Sequence, residues 1–186
     1  MKYYKFLKAD RIAPYSGYQY PEPGEWTPEV TDLVECKSGY HLCRLGTDML
    51  EWFGYEELWE VEPGDRIEEY DNKVNTNRCR LIRRIETWNK KTAHLFTDDC
   101  AEHVLHLFEN GYPDNCWQRK EIQAARDYAH RKIDHIELTS ARTIWAAWAD
   151  WAAWATWAAR ATWDARADER MWQAEKLIEM LGLEES

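Results

Sequence analysis

Residues 58–64 read LWEVEPG and residues 79–85 read CRLIRRI, and these two segments indicate the fold of the chain. In the first, apolar and acidic side chains alternate until Pro63-Gly64 ends the run. A period of two is typical of β-strands, and proline followed by glycine marks a turn. A charged loop, residues 65–78, separates the segments. We therefore predict two strands of one antiparallel sheet.

Further extended segments precede this pair. Residues 3–8 read as a short aromatic strand, and residues 30–36 have strand character. Residues 37–39 form a turn, and an extended segment resumes at 40–43 before Thr47 caps a short helix through Phe53. The pattern predicts a hairpin followed by a helix. Residues 1–88 are thus expected to form a small antiparallel sheet with one short helix.

The apolar period changes to about 3.6 residues after Thr97. Asp98 and Asp99 suit the start of a helix, and residues 111–113, GYP, suit its end. No glycine or proline occurs between residues 114 and 181. We predict an α+β protein with three helices after the sheet, the last long and rich in Trp and Ala. Residues 89–186 are expected to pack on residues 1–88 as one compact unit.

The last helix carries a triplet repeat. From Trp145 the sequence reads WAA, WAD, WAA, WAT, WAA, RAT, WDA, RAD. A step of three residues turns each tryptophan back by about 60°, so the rings wind around the helix and leave a polar stripe interrupted by Trp157. Five rings represent about 1,000 Å² of surface that needs covering. They form a predicted interaction surface: Trp145, Trp148, Trp151, Trp154 and Trp157.

Three interpretations of this surface follow from the residues. The rings are core packing within one chain, a surface for a protein partner or self-association, or a membrane-interface helix. The third is opposed by charge, because residues 141–186 hold 5 Arg or Lys against 8 Asp or Glu.

Composition excludes several classes of protein. The net charge of -10 opposes nucleic acid and anionic membranes as main partners. The most apolar window, residues 144–159, is shorter than the roughly 20 residues of a membrane span. Five cysteines at irregular spacing suit reduced thiols, and no signal peptide is seen, so a cytoplasmic location is expected. No cofactor motif is present.

One pocket is predicted from the strands. On a regular strand Arg78, Arg80 and Arg84 share a face and Arg83 points the other way. Such a face suits a phosphate or carboxylate, although a solvated strand paired with acidic residues of 58–62 explains it as well. The predicted pocket combines this face with the turn: Tyr40, His41, Cys43, Arg80 and Arg84.

Nucleophilic and metal sites are weaker hypotheses. Cys43 beside His41 or His94 would satisfy a thiolate's need for a base. The spacing i, i+3 and i+6 would place Cys100, His103 and His106 on adjoining helical turns. The turn raises the same question with Cys36, His41 and Cys43. Neither pattern matches a metal motif, and we predict no metal site.

Three segments carry a resemblance to known sequences: residues 33–43, LVECKSGYHLC; residues 57–62, ELWEVE; and residues 78–88, RCRLIRRIETW. They resemble uncharacterised small proteins of bacteria and phages that share a Cys-x-x-Gly-aromatic-His-x-Cys turn, an LWEVE strand and an RLxRRxExW strand. The relatives have Ala-rich tails, and here tryptophan replaces part of that tail. The resemblance implies no particular activity.

A second similarity concerns the fold alone. The order of strand, Gly-aromatic-His-x-Cys strand, short helix and strand is similar to the NAD-binding half of ADP-ribosyltransferase-like folds. That similarity implies contact between nicotinamide and an aromatic or His of the second strand, but a complete His, Tyr and Glu set is not recognisable.

We therefore predict a non-enzymatic binding or interaction protein that uses the aromatic helix and the sheet. One alternative is an ADP-ribosyltransferase-like or other nucleotide-handling enzyme, with His41 and Arg80 or Arg84 in its pocket. Another is a self-assembling structural protein held by the tryptophan helix.

Overall fold

Six strands form one antiparallel sheet in a computed structural model, which describes residues 1–111, 117–133 and 163–183. The strands are β1 Tyr3–Leu7, β2 Tyr40–Arg44, β3 Glu57–Pro63, β4 Ile67–Tyr70, β5 Lys73–Thr76 and β6 Cys79–Arg84, in the order β4-β5-β2-β1-β3-β6. The described helices are α1 Lys90–Gly111, α2 Trp117–Ala129 and α3 Trp163–Leu181. The predicted α+β class, a sheet followed by three helices, is confirmed.

The chain divides into two compact units. The first comprises Met1–Lys90 and Met171–Ser186, and the second comprises Lys91–Arg170. Helix α3 begins in the second unit and ends in the first, where the Thr87 hydroxyl donates to the carbonyl of Leu181 at 2.9 Å. The five tryptophans of the predicted interaction surface lie outside the described residues. None of the described helices has the length and apolar composition of a membrane span.

Strands β1 and β2, in the middle of the sheet, pair over only part of their length. These strands pair only at Tyr3 with Arg44 and at Tyr4 with Cys43. Beyond that point β1 continues along β3 to Leu7, whereas the start of β2 pairs with β5. Adjacent strands twist relative to each other, and a short pairing lets the two halves of the sheet diverge. A gap therefore opens beside the far end of β1.

Apolar side chains from both halves share one core. Alternation places Leu7, Leu42 and Val61 on the same side, where they are at most 3% exposed. The whole cluster comprises Leu7, Ala13, Tyr20, Leu42, Trp59, Val61, Val74, Cys79 and Leu81. It joins residues from the N-terminal loop to strands on both sides of the gap, and so fixes how far the halves separate.

Two segments differ from the sequence expectations. Residues 30–36 form no strand; only an isolated bridge joins Val34 to Ser38, and the partners of β2 are β1 and β5. Cys36 has a φ of 58°, in the left-handed region, which ends any extended run there. The expected loop at 65–78 contains the hairpin of β4 and β5, closed by the two residues between Tyr70 and Lys73.

Strand β5 shows no apolar alternation in the sequence, because most of its buried residues are polar. Asn75 and Thr76 are 0% exposed. The Thr76 hydroxyl donates to the carbonyl of Arg66 at 2.8 Å, and the Asn75 amide donates to the carbonyl of Ser38 at 2.9 Å. Carbonyls outside the strand thus accept from the Thr76 hydroxyl and the Asn75 amide nitrogen, and such partners cannot be read from local sequence.

A buried carboxyl lies in the second unit. Asp98 on α1 is 4% exposed, and its Oδ2 has no hydrogen-bond partner among the described residues. Burial raises its pKa to about 7, against the opposing effect of Arg126. The Arg126 guanidinium instead donates to Asp99 and to Glu102, each at 2.6 Å. Helices α1 and α2 are therefore joined by an ion pair beside a carboxyl that prefers to be protonated.

Replacing Asp98 by asparagine is expected to stabilise the protein at pH 8 and to flatten its pH dependence. A carboxyl whose folded pKa is raised to about 7 keeps its proton in the folded state, so stability falls as pH rises from about 4 to about 7. A shift of this size corresponds to about 4 kcal/mol, and because the carboxyl is partly screened by solvent we expect wild type to lose about 2 kcal/mol across this window through Asp98. Thermal melts at pH 5 and pH 8 measure the loss. Asp71→Asn, which changes an exposed carboxylate, should lose as much stability between pH 5 and pH 8 as wild type does. A loss of the same size in Asp98→Asn would contradict the prediction.

Candidate functional site

A cleft of about 660 Å³ opens where β1 and β2 diverge. Its described lining residues include three lysines and no Asp or Glu: Lys5, Lys37 and Lys73. Seven aromatic side chains also line it: Tyr4, Phe6, Tyr15, Tyr18, Tyr20, Tyr40 and Trp52. Clefts of this size that combine aromatic walls with a few polar groups are typical of small-molecule sites. In a chain with a net charge of -10, a cleft without described carboxylates is an electrostatic exception.

Three tyrosines form one wall of the cleft. The rings of Tyr18, Tyr20 and Tyr40 pack edge to face, with centroids 5.2 to 6.0 Å apart. The Tyr40 hydroxyl donates to the carbonyl of Pro28 at 2.9 Å. Burial raises the pKa of Tyr18 to about 12 and that of Tyr20 well above its ordinary value. The phenols of Tyr18 and Tyr20 therefore remain neutral, and all three rings line the cleft.

Lys5 brings a cation into the gap between the strands. Its Nζ donates to the carbonyl of His41 at 2.5 Å and lies 5.4 Å from the centre of the Tyr20 ring. Burial lowers the pKa of Lys5, and within the described ranges no carboxylate forms an ion pair with it. An ammonium held out of water without a counterion favours any ligand that supplies one.

His41 is held as a neutral ring. The backbone N–H of Cys36 donates to its Nε2 at 3.2 Å, so the neutral imidazole carries its proton on Nδ1. Burial, followed by the charges of Lys5 and Lys73, lowers the pKa of His41 to about 4. The imidazole therefore contributes no positive charge near neutral pH.

The turn before β2 depends on a close backbone contact. Gly39 has a φ of 106°, and a Cβ built there would lie 2.2 Å from Oδ1 of Asn75. That oxygen is buried and has no hydrogen-bond partner among the described residues. Asn75 stands opposite His41 in the pairing of β5 with β2. The glycine thus lets the turn pack against β5 and positions His41 beside the cleft.

Lys73 enters the cleft from β5. Its Nζ lies 3.0 Å from Oε1 of Glu35 and 3.0 Å from Sγ of Cys36. Hydrogen bonds to these two groups raise the pKa of Lys73. Glu35 in the turn therefore neutralises the charge of Lys73. Of these two lysines, Lys5 is the one without a described carboxylate partner to offset its charge.

Cys43 is unsuited to nucleophilic attack. It is 2% exposed, and its thiol lies 3.1 Å from the carbonyl of Tyr4. Burial raises its pKa to about 12. The thiolate hypothesis for Cys43, with either His41 or His94 as its base, therefore has no support from this environment.

The predicted pocket is only partly assembled. Tyr40, His41 and Cys43 line the cleft, whereas Arg80 and Arg84 are not among its described lining residues. Arg80 pairs with Glu62 at 2.7 Å, and Arg84 lies 3.4 Å from Glu57. The expectation that Arg80 and Arg84 share one face is wrong.

A bulge explains this arrangement of arginines. The register of β3 with β6 shifts between Glu60 and Val61, so Arg83 stands opposite Glu60 while Arg84 stands opposite Trp59. Residues directly opposite in an antiparallel pair share a face, and an extra residue on one strand reverses the alternation beyond it. Arg83 consequently shares a face with Arg80, and the Nε of Arg83 lies 2.6 Å from Glu60.

The described residues give no geometric support to the metal-site hypotheses. Among the described residues no group of three His, Cys, Asp or Glu side chains is placed to hold a metal ion. Nδ1 of His103 lies 2.8 Å from Oε2 of Glu169 in the second unit. Cys100 lies on α1 with partial exposure, and the side chain of His106 is outside the described part of the chain.

Tyr40 was identified from the sequence, but the lysines of the cleft and the other two tyrosines of its wall, Tyr18 and Tyr20, were not. Lys5 is a single charge within an aromatic strand, and Lys73 lies within residues 65–78, which were expected to form a loop. The alternation of Tyr18 and Tyr20 was a local signal for a shared face. No local pattern connects Lys5 with Lys73, because they lie on β1 and β5, which both pair with β2.

Comparison with known families gives one result for this part of the chain. Residues 1–93 match the model of a family described as a domain of unknown function (DUF7666). The chain belongs to the DUF7666 family. The match covers the sheet and the cleft, and it agrees with the resemblance to an uncharacterised family. No curated protein and no solved structure matches the DUF7666 chain significantly.

Proposed function

We propose that the DUF7666 domain binds an anionic small molecule with a flat ring, of the nucleotide class, in the cleft between β1 and β2. The observation that carries the proposal is the lining of this cleft, which has three lysines and no described carboxylate within a strongly acidic chain. The net charge of -10 opposes non-specific binding of anions by the chain as a whole, so a cleft lined by lysines stands out as a place for them.

Lys5 is the proposed anchor for the anionic group. Lys5 is a half-buried residue whose ammonium lies out of water, lacks a described carboxylate partner and already donates to one carbonyl. A phosphate or carboxylate beside it would restore the counterion that burial requires. Lys37 also lines the cleft and adds a second cation.

The tyrosine wall is the proposed contact for the ring. Tyr18 and Tyr40 line the cleft, and Tyr15 with Trp52 supplies a further aromatic pair whose centroids are 5.9 Å apart. Aromatic side chains stack on bases with about 1 to 3 kcal/mol for each base. A ligand with both a ring and a phosphate would use both features of the cleft.

Titration calorimetry of the full chain with ADP-ribose, AMP and adenosine tests this proposal. We expect ADP-ribose and AMP to bind and adenosine to bind at least about 10-fold more weakly, because it lacks the phosphate. Lys5→Met is expected to weaken AMP binding by about 10- to 100-fold, the value of a charged hydrogen bond. Lys2→Met, at an exposed residue outside the cleft, is the matched control. Absence of heat with all three ligands would refute the proposal.

A second candidate is turnover of NAD. The strand that the ADP-ribosyltransferase-like resemblance pairs with nicotinamide is β2, and its Tyr40 and His41 line the cleft. Chromatography of NAD incubated with the protein measures release of nicotinamide. Release that is abolished by Tyr40→Ala would favour the enzyme, and binding without release would favour the binding protein.

Other parts of the functional prediction rest on sequence. The tryptophan helix remains a proposed surface for a protein partner or self-association, and light scattering at high concentration would detect assembly. Cytoplasmic location, bacterial or phage origin, and the lack of a nucleic-acid partner are predictions from composition and resemblance.

A further inference from the structure

Cys36 places an exposed thiol at the edge of the cleft. Its Sγ lies 3.0 Å from Nζ of Lys73, and both residues line the cleft. Nζ of Lys73 also lies 3.0 Å from Oε1 of Glu35, the residue next to Cys36. A thiol, an amine and a carboxylate therefore meet at one point, although Lys73 is 37 residues away from Cys36 in the chain.

The other described cysteines are placed differently. Cys43 and Cys79 are at most 2% exposed, and burial raises the pKa of each to about 12. Cys100 is partly exposed and belongs to the second unit. Susceptibility to peroxide follows thiolate character and exposure, so Cys36 is the described thiol that an oxidant reaches most readily.

We propose that Cys36 and Lys73 form a covalent sulfenamide link when a peroxide oxidises the thiol. In the first step the sulfur of Cys36 attacks a peroxide oxygen: the O–O bond breaks, an S–O bond forms, and water leaves when the peroxide is hydrogen peroxide. Sulfur is oxidised by two electrons and peroxide is reduced by two. The product is the sulfenic acid of Cys36.

The second step joins the two side chains. Lys73 gives one proton to Glu35, and the freed electron pair of Nζ attacks the sulfur of the sulfenic acid. The N–S bond forms, the S–O bond breaks, and hydroxide leaves with a proton from nitrogen as water. Condensation of a sulfenic acid with a backbone nitrogen is known protein chemistry, and the amine of Lys73 would take the place of that nitrogen. Two equivalents of an external thiol reverse the link: they become a disulfide, and Cys36 and Lys73 regain a thiol and an amine.

The link would remove one cation from the cleft. The amine of Lys73 becomes an uncharged sulfenamide nitrogen, and the turn becomes tied to β5. If the cleft binds anions, as proposed above, oxidation should weaken that binding. This consequence rests on the proposed function, whereas the link itself rests on the geometry of Cys36, Lys73 and Glu35.

Peptide mapping by mass spectrometry tests the link without any cleft ligand. The reduced full-length protein is treated with dilute hydrogen peroxide, free thiols are alkylated, and the digest is searched for the Cys36 peptide joined to the Lys73 peptide. We expect a joined species about 2 Da lighter than the sum of the two peptides. Dithiothreitol should return both separate peptides.

Matched variants identify the nitrogen. Lys73→Arg keeps a cation beside Glu35 but should abolish the link, and Cys36→Ser should abolish it as well. Lys37→Met, a neighbouring lysine that also lines the cleft, should leave the link intact. Thermal melts establish that each variant is folded. Oxidation of Cys36 without a joined peptide, a link that persists in Lys73→Arg, or an unreactive Cys36 would each overturn the inference.

Discussion

Replacing Trp88 by alanine is expected to lower the free energy of unfolding by about 3 to 5 kcal/mol, the usual cost of removing a large buried aromatic side chain. Trp88 is 1% exposed, and its ring packs edge to face on Phe6 with centroids 5.3 Å apart. Its Nε1–H donates to the carbonyl of Tyr55 at 2.9 Å. The substitution therefore leaves a cavity beside β1 and an unpaired carbonyl. Urea unfolding followed by far-ultraviolet circular dichroism measures the loss.

Two variants separate burial from the hydrogen bond. Trp88→Phe keeps a ring against Phe6 but loses the donor to Tyr55, and we expect a loss of about 1 to 2 kcal/mol. Trp26 is 36% exposed and stacks with Arg78 and Arg80, so Trp26→Ala should cost less than about 1 kcal/mol. Equal losses for Trp88→Ala and Trp26→Ala would show that Trp88 does not anchor the core.

Replacing Gly39 by alanine is expected to destabilise the protein by about 2 to 4 kcal/mol and to weaken any binding in the cleft. Two costs contribute. A φ of 106° is unfavourable for any residue with a Cβ, at about 1 to 3 kcal/mol. The new Cβ would also lie 2.2 Å from Oδ1 of Asn75, whose amide cannot move without losing its bond to the carbonyl of Ser38.

A double-mutant cycle with Asn75→Ala separates these costs. Removing the Asn75 side chain relieves the collision but not the backbone strain, so the double variant should be more stable than the sum of the single losses predicts, by about 1 to 2 kcal/mol. Gly17→Ala has a φ of 69° and open space around its Cβ, which makes it a control for strain alone. Additive losses in the cycle would mean that the contact with Asn75 carries no energy.

The strands that follow an apolar alternation could be predicted, and those that do not could not. Residues 58–62 and 79–85 alternate or are apolar, and they form β3 and β6. Strand β4 is mostly exposed and acidic, and β5 is polar and buried, so neither shows an apolar period. The Asp71-Asn72 pair between them was the local signal of a hairpin. The bulge that reorients Arg84 has no sequence mark, because an extra residue is recognised only against its partner strand.

Part of the candidate site could likewise be predicted from the sequence, and part could not. The turn that precedes Tyr40 and His41 was singled out from residue types alone, and both residues line the cleft. Lys5, Tyr20 and Lys73 could not be assigned to the same site from the sequence. Strands β2, β3 and β4 lie between Lys5 and Lys73 along the chain. Strands β1 and β5 pair with β2 from opposite sides and bring Lys5 and Lys73 to the cleft, and the loop after β1 adds Tyr20.

The sequence by itself determined the α+β class, the antiparallel pairing of its apolar strands and the acidic character of the chain. These properties depend on the period and composition of short segments, which act locally. The tertiary structure decided where the sheet parts, which lysines enter the gap and which thiol lies beside an amine. Those properties depend on register and on contacts between distant residues, and the energy of such contacts exists only once the strands have paired.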